Sequence, residues 1–366
     1  MIMKKLQRII DNADSQTLNS ARFICVLALV LIFGVVLYRH AKSPRLDERL
    51  AIAKTQTAMA VMQPQSQPQN NHEEAGGDIG IETPIINSNQ NNNKENSFYA
   101  NTANPVAPLM VLKDDVNDAA SSESLSDFSA RVLIAVDAAD GSILLKKEMD
   151  KKLPIASVTK LMTAIAVLEN LNSEEKIKIS QTAIDTEGWV GKLIVGEEFL
   201  AIDLLRIMLV ASSNDAAAAF AEHFEKKNLN LIDIMNEKAK MLGMVNTSFN
   251  NPSGLDAQNH YSTAADLARL GIYVANNQTI IKIISQKSVS IFSDNTNILH
   301  NALSTNQLLH QNVTEVIGGK TGYTKEARGC ILSILNINGR KIISIVLGSE
   351  DRFEETKQII KILKNG

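Results

Sequence analysis

The sequence predicts an α+β domain in which an antiparallel sheet joins both ends of the domain around a helical cluster. Three observations carry this. Apolar runs split by turn signals open the foldable region at Arg131–Val136 (RVLIAV) and Ser142–Leu145 (SILL), with Asp137 to Gly141 as the turn. A second such pair, Cys330–Leu335 (CILSIL) and Lys341–Leu347 (KIISIVL) around Asn336 to Arg340, stands near the end. The pattern between the pairs is helical, and Phe353 to Leu363 supplies the apolar residues of a closing helix.

Only part of the chain fits that domain. With 366 residues, 45% hydrophobic but 4% aromatic, there is room for one good-sized globular unit plus tether. Phe23 to Tyr38 (FICVLALVLIFGVVLY) is uncharged and apolar, near the lower length limit of a spanning helix. Residues 23–39 read as an uncleaved transmembrane signal anchor, with a secretory signal as the competing reading, and 1–22 as a cytoplasmic N-terminus. Lys4, Lys5, Arg8 and Arg22 before the segment are nearly balanced by Arg39, His40, Lys42 and Arg45 after it, so charge does not set the orientation. Residues 40–127 are rich in Asn, Gln, Ser and Glu; too little apolar surface is present to offset chain entropy, and a disordered linker is expected. The folded domain is expected at 128–366.

A net charge of -3 gives no case for nucleic acid. The two cysteines, Cys25 and Cys330, lie too far apart in kind and position to pair, the six histidines are scattered, and neither CxxC nor HExxH occurs. No metal or cofactor is expected.

Three short motifs carry the chemistry. Ser157 and Lys160 stand three apart on the first turn of a helix that begins at Pro154 and runs apolar through Leu168, close enough for amine and hydroxyl to touch. Burial and the positive helix end push such a lysine's pKa down, so a neutral amine can take the serine proton. Ala211-Ser212-Ser213-Asn214-Asp215 falls between a helix ending at Met208 to Val210 and one beginning at Ala216, with Asn214 or Asp215 as the expected N-cap. A hydroxyl at Ser212 suits proton relay to a leaving amine, and an amide at Asn214 suits holding Lys160 and a substrate carbonyl. Gly318 to Thr324 (GGKTGYT) precedes the strand expected from Cys330. There Lys320 offers positive charge, Thr321 a hydroxyl for a carboxylate, and Gly322 clearance.

Ser-x-x-Lys, Ser-x-Asn and Lys-Thr-Gly in this order resemble the motif set of penicillin-binding proteins and serine β-lactamases, and the chain is most similar to their D-alanyl-D-alanine carboxypeptidase branch. The likeness extends to Gly196-Glu197-Glu198, to Asn251-Pro252-Ser253-Gly254-Leu255-Asp256 and to Tyr261-Ser262-Thr263-Ala264. It implies a DD-peptidase/β-lactamase-like fold. Catalytic Ser157, Lys160 and Ser212 would act on a peptidoglycan stem peptide ending in D-Ala-D-Ala, and Asn214, Lys320, Thr321, Gly322 and Tyr323 would bind it. The Ser157 and Tyr323 N–H groups would form the oxyanion hole, and β-lactams would be covalent inhibitors. Cleavage of peptide cross-links, a β-lactamase and a non-catalytic binding protein are the rival functions. Against the third, all motif side chains are present; against the second, Asp256 is the one acid between Gly243 and Thr263. Two departures stand out. Arg328 separates Ala327 from Gly329 where the family has Ala-Gly, and the sequence closes one helix after the sheet. The N-terminal segment is therefore expected to replace a C-terminal membrane anchor and to place the catalytic domain outside the cell membrane.

Overall fold

The computed structural model describes residues 111–113, 125, 127–188 and 192–365, all within one compact unit, Asn93–Gly366. The expected cytoplasmic tail and anchor, and most of the expected linker, lie outside the described residues. Among the described residues no helix is long and apolar enough to cross a membrane.

The fold opens with β1 (Val132–Asp137) and β2 (Ile143–Lys147), and a 3-10 turn (Ala156–Thr159) leads into α1 (Lys160–Asn170). β3 (Lys176–Lys178), α2 (Gln181–Ile184) and β4 (Glu198–Leu200) precede three helices, α3 (Ala201–Val210), α4 (Asn214–Lys226) and α5 (Leu231–Met241). After α6 (Ala264–Ala275) and α7 (Gln278–Ile284) comes the hairpin β5 (Ser288–Phe292) and β6 (Leu299–Leu303), then α8 (Gln307–His310). β7 (Val316–Thr324), β8 (Arg328–Ile337), β9 (Arg340–Ser349) and α9 (Arg352–Asn365) complete it.

As the sequence predicts, the two ends meet in one sheet. The strand order is β2-β1-β9-β8-β7, antiparallel throughout. Alternation gives the sheet two apolar faces. Val132, Ile134 and Val136 join Ile343 and Ile345 against the main helical cluster, while Leu133, Ala135 and Val346 face Phe353, Ile359 and Ile360 of α9. β8 turns into β9 through Asn338 and Gly339, both at positive φ (53° and 81°), a conformation that these two residue types adopt at low cost. Two residues inside the expected linker also join the fold: Lys113 bridges Ser142, and Leu125 is buried beneath α9's face.

Four local expectations need correction. Gly318 to Thr324 does not merely precede a strand; it is strand β7, at the sheet edge. Two glycines contribute no side chains, so the alternating signal is missing there. The motif helix does not begin at Pro154, because Ala156 holds φ at +48°, outside the helical region; α1 starts at Lys160 and Ser157 sits in the 3-10 turn. The N-cap of α4 is Ser213, whose Oγ accepts from the Ala216 N–H, rather than Asn214 or Asp215. The two-stranded ribbon β3–β4 and the hairpin β5–β6 carry only three to five residues per strand and were not foreseen.

Candidate active site

α1 is deeply embedded: Lys160 and every residue from Leu161 to Val167 are buried. Each of its large apolar side chains contributes roughly 1.5–3 kcal/mol of transfer free energy, which together outweigh the desolvation of one amine at its first position. Lys160 is thereby carried into the core, with 0% of its surface exposed.

Its ammonium donates to Asn214 Oδ1 (2.6 Å), to the Ser253 carbonyl (2.6 Å) and to Ser157 Oγ (3.0 Å). The first two are acceptors only. The Asn214 amide is held in that sense because its Nδ2 donates to the Glu187 (2.8 Å) and Gly188 (3.3 Å) carbonyls. A neutral amine would spend its two N–H bonds on these fixed acceptors and aim its lone pair at Ser157, the one neighbour with a proton to give. Burial first, and then the charge of Lys320, hold the Lys160 pKa well below the usual lysine value, against an opposing pull from Asp215. Asp215 is itself wholly buried, and its carboxylate oxygens have no hydrogen-bond partner.

The Ser213 cap explains why Asn214 is free to serve. With the cap bond made one residue earlier, Asn214 takes the first helical position and points its amide at Lys160 rather than at its own backbone. Ser212, just before the cap, has φ +63° and accepts from Lys320 Nζ at 2.8 Å. Lys320 comes from β7, is 1% exposed and also donates to the Thr321 carbonyl. Burial, with Arg352 nearby, lowers its pKa to about 7.

Gly322 brings the edge strand against the nucleophile turn. A Cβ there would lie 2.7 Å from the Ser157 nitrogen and 2.8 Å from Ala156 Cβ, so no other residue allows β7 this approach. Ser157, Ser212, Asn214, Thr321, Gly322 and Tyr323 all line one cleft of about 410 Å³, with Lys160 and Lys320 buried at its floor. The motif residues singled out in the sequence are thus brought together. One detail differs: Asn214 gives its N–H groups to backbone carbonyls instead of presenting them to the cleft.

The structure adds residues that spacing could not reveal. Arg352, from the first turn of α9, lines the cleft, and its Nε is buried without a partner. The Asn251 side-chain oxygen accepts from the Ser253, Gly254 and Leu255 N–H groups, folding the Asn-Pro-Ser-Gly loop so that the Ser253 carbonyl meets Lys160. His260 accepts the Asn250 N–H at Nδ1 (3.1 Å), which assigns its proton to Nε2, facing Thr159 Oγ1 at 2.8 Å. Asp256 accepts from Thr324 Oγ1 (2.6 Å), tying this loop to the end of β7. Arg328 is the first residue of β8, at φ +56°, and pairs with Thr324, while Lys320 lies opposite Leu332 and Tyr323 opposite Gly329. Among the described residues no group of three or more His, Cys, Asp or Glu side chains is arranged to hold a metal ion.

A serine whose hydroxyl faces a buried amine, next to a second serine on a second buried amine and a cationic cleft wall, is equipped for acyl transfer. Comparison with known proteins agrees. The family model described as D-alanyl-D-alanine carboxypeptidase matches residues 118–351. A D-alanyl-D-alanine carboxypeptidase (DacF) of Bacillus subtilis is 32% identical over 262 residues, 70% of this chain and 66% of its own length. A D-alanyl-D-alanine endopeptidase of Escherichia coli is 33% identical over 254 residues, 68% of this chain and 80% of its own. Among solved structures, the Streptomyces K15 DD-transpeptidase superposes with a TM-score of 0.61 at 27% identity, covering 65% of this chain and 98% of that one.

Proposed function

This chain belongs to the D-alanyl-D-alanine carboxypeptidase family of serine peptidases, and from that premise we propose that it hydrolyses D-Ala-D-Ala termini of peptidoglycan stem peptides through an acyl-enzyme on Ser157. The observation that carries this reading is the Lys160 amine, fixed by two acceptors and turned toward Ser157 Oγ at 3.0 Å. Ser157 Oγ attacks the carbonyl carbon of the penultimate D-alanine while its proton passes to the Lys160 lone pair. The Ser157 and Tyr323 N–H groups receive the developing oxyanion. The carbon–nitrogen bond then breaks as Ser212 protonates the leaving amine, refilled from Lys320, its direct hydrogen-bond donor. Water next attacks the ester carbonyl, its proton passing through Ser212 to refill Lys320, and as the bond to Ser157 Oγ breaks Lys160 returns its proton to Ser157. Thr321, Lys320 and the charge of Arg352 favour a substrate with a free carboxylate at that end of the cleft.

The relatives support a second reading, cleavage of cross-links between stems. Two relatives named D-alanyl-D-alanine endopeptidase, from Escherichia coli and Pseudomonas aeruginosa, are 33% and 32% identical to the chain. The two reactions share every step above and differ in whether the leaving amine belongs to free D-alanine or to a neighbouring peptide. Incubation with monomeric pentapeptide stems and with cross-linked dimers separates them: D-alanine release from the first supports the carboxypeptidase, and conversion only of the second replaces it.

The apolar run from Phe23 to Tyr38 supports a single-pass anchor with the catalytic domain on the outer side of the cell membrane, joined by the Asn/Gln-rich stretch. Labelling of intact cells by a membrane-impermeant fluorescent penicillin, with the adduct recovered in the membrane fraction, is the expected result. An adduct formed only after lysis rejects it.

A further inference from the structure

Thr305 lies between β6 and α8, outside the three motifs, and it lines the same cleft as Ser157, Ser212 and Thr321. Its hydroxyl is 2.5 Å from the Thr321 hydroxyl. Its backbone is fixed from both sides: the Thr305 N–H donates to the Val210 carbonyl at the end of α3, and the next residue, Asn306, is buried and caps α8 through the Leu308 N–H. The residue therefore ties the wall that carries Ser212 to the strand that carries Lys320 and Thr321. A packing role alone needs no hydroxyl there, since valine has the same shape.

We propose that Thr305 is a substrate-binding residue whose hydroxyl, paired with that of Thr321, forms a seat for one carboxylate and so selects ligands with a free carboxyl terminus. The proposal deepens the serine DD-peptidase reading and rests on it. The two hydroxyls satisfy each other, one O–H donating to the other oxygen. An arriving carboxylate accepts from both, so the pair exchanges one neutral hydrogen bond for charge-assisted ones. A neutral ester or amide in the same place is a weaker acceptor and gives less reason for the pair to open. Selection thus resides in the pair, with Lys320 and Arg352 adding charge that Thr305 orients against.

The test compares acylation of the full chain in detergent by benzylpenicillin and by its methyl ester, for wild type, Thr305→Val and Thr305→Ser. With the free acid, Thr305→Val is expected to lower the second-order acylation constant about tenfold or more, with the ester reaction unchanged and Thr305→Ser close to wild type. The acid-to-ester ratio is internal to each protein and independent of how much of it is folded. An unchanged ratio in Thr305→Val, whether both reactions slow together or neither does, overturns the proposal and leaves the peptidase reading intact. A wild-type chain that forms no penicillin adduct and releases no D-alanine overturns the peptidase reading, and this proposal with it.

Discussion

Lys320 Nζ donates to Ser212 Oγ at 2.8 Å, so the two buried lysines divide two of the cleft serines between them: Lys160 faces Ser157, and Lys320 faces Ser212. The two pairs make opposite demands on pH. Lys160 works as a base only when neutral, whereas Lys320 can pass a proton to Ser212 and attract a carboxylate only when protonated. Burial lowers both pKa values, and the proximity of each lysine to positive charge lowers them further.

The first prediction follows from that opposition. In the free enzyme Lys320 loses its proton as pH rises through about 7, so kcat/KM for a carboxylate-terminated peptide should fall across that range. A bound carboxylate favours the ammonium, so the same limb should lie at higher pH in kcat. Lys320→Arg keeps its charge far above this range. Its rate should be lower, because the guanidinium cannot copy the ammonium's geometry, but the alkaline limb of kcat/KM should disappear. A limb that stays in place in Lys320→Arg would assign it to another group.

Ser157→Ala and Lys160→Met should each reduce penicillin acylation by at least ~1000-fold, read as loss of the covalent adduct in the intact-protein mass. In the wild type the adduct should be long-lived, since Asp256, the acid in the loop after Ser253, is engaged by Thr324 at the surface. Rapid release of penicilloate would make the chain a β-lactamase instead.

The third prediction concerns acid stability. His260 is 5% exposed and, with Nδ1 already accepting the Asn250 N–H, it has no room for a second ring proton; burial lowers its pKa from 6.5 to about 4. The unfolded chain therefore binds more protons than the folded one between these values, and stability is lost as pH falls from 6.5 toward 4. The full effect is on the order of 3 kcal/mol. Denaturant titrations at several pH values should show this slope in wild type and not in His260→Asn. A slope that persists unchanged in the variant would place the titration elsewhere.

Much of this was legible in the sequence, for physical reasons. The terminal hairpins and α9 announce themselves because their apolar periodicity is uninterrupted, Lys160 beside Ser157 because an amine is out of place on an apolar helix, and Ser212 and Lys320 because their short motifs follow that pair in order. β7 was hidden by its glycines, the same feature that lets it approach Ser157. The N-cap of α4 was misassigned since Ser213, Asn214 and Asp215 all have capping side chains, and only the pull of Lys160 on Asn214 decides among them. Thr305, His260 and Arg352 reach the site or its turn across sequence separations that no local pattern encodes.

The last prediction separates backbone strain from contact at the nucleophile turn. Gly254 has φ +86°, and a Cβ on it would lie 1.9 Å from the Ala156 carbonyl oxygen and 2.9 Å from Thr159 Oγ1, the two ends of the turn that presents Ser157. Gly196 has nearly the same backbone, φ +89°, but a Cβ there meets nothing within 4 Å. Both Gly254→Ala and Gly196→Ala incur the left-handed penalty of roughly 1–3 kcal/mol, so both should unfold at lower denaturant concentration. Only Gly254→Ala must also displace the turn, whose Ala156 already holds φ +48°. A shift of the nucleophile by about 1 Å lowers reactivity on the order of 100-fold, and that loss should appear in the penicillin acylation constant of Gly254→Ala, measured under conditions where the protein is fully folded. Gly196→Ala should acylate at the wild-type rate. Equal acylation by the two variants would mean that the loop does not set the position of Ser157, and that the Lys160 contacts alone hold the turn.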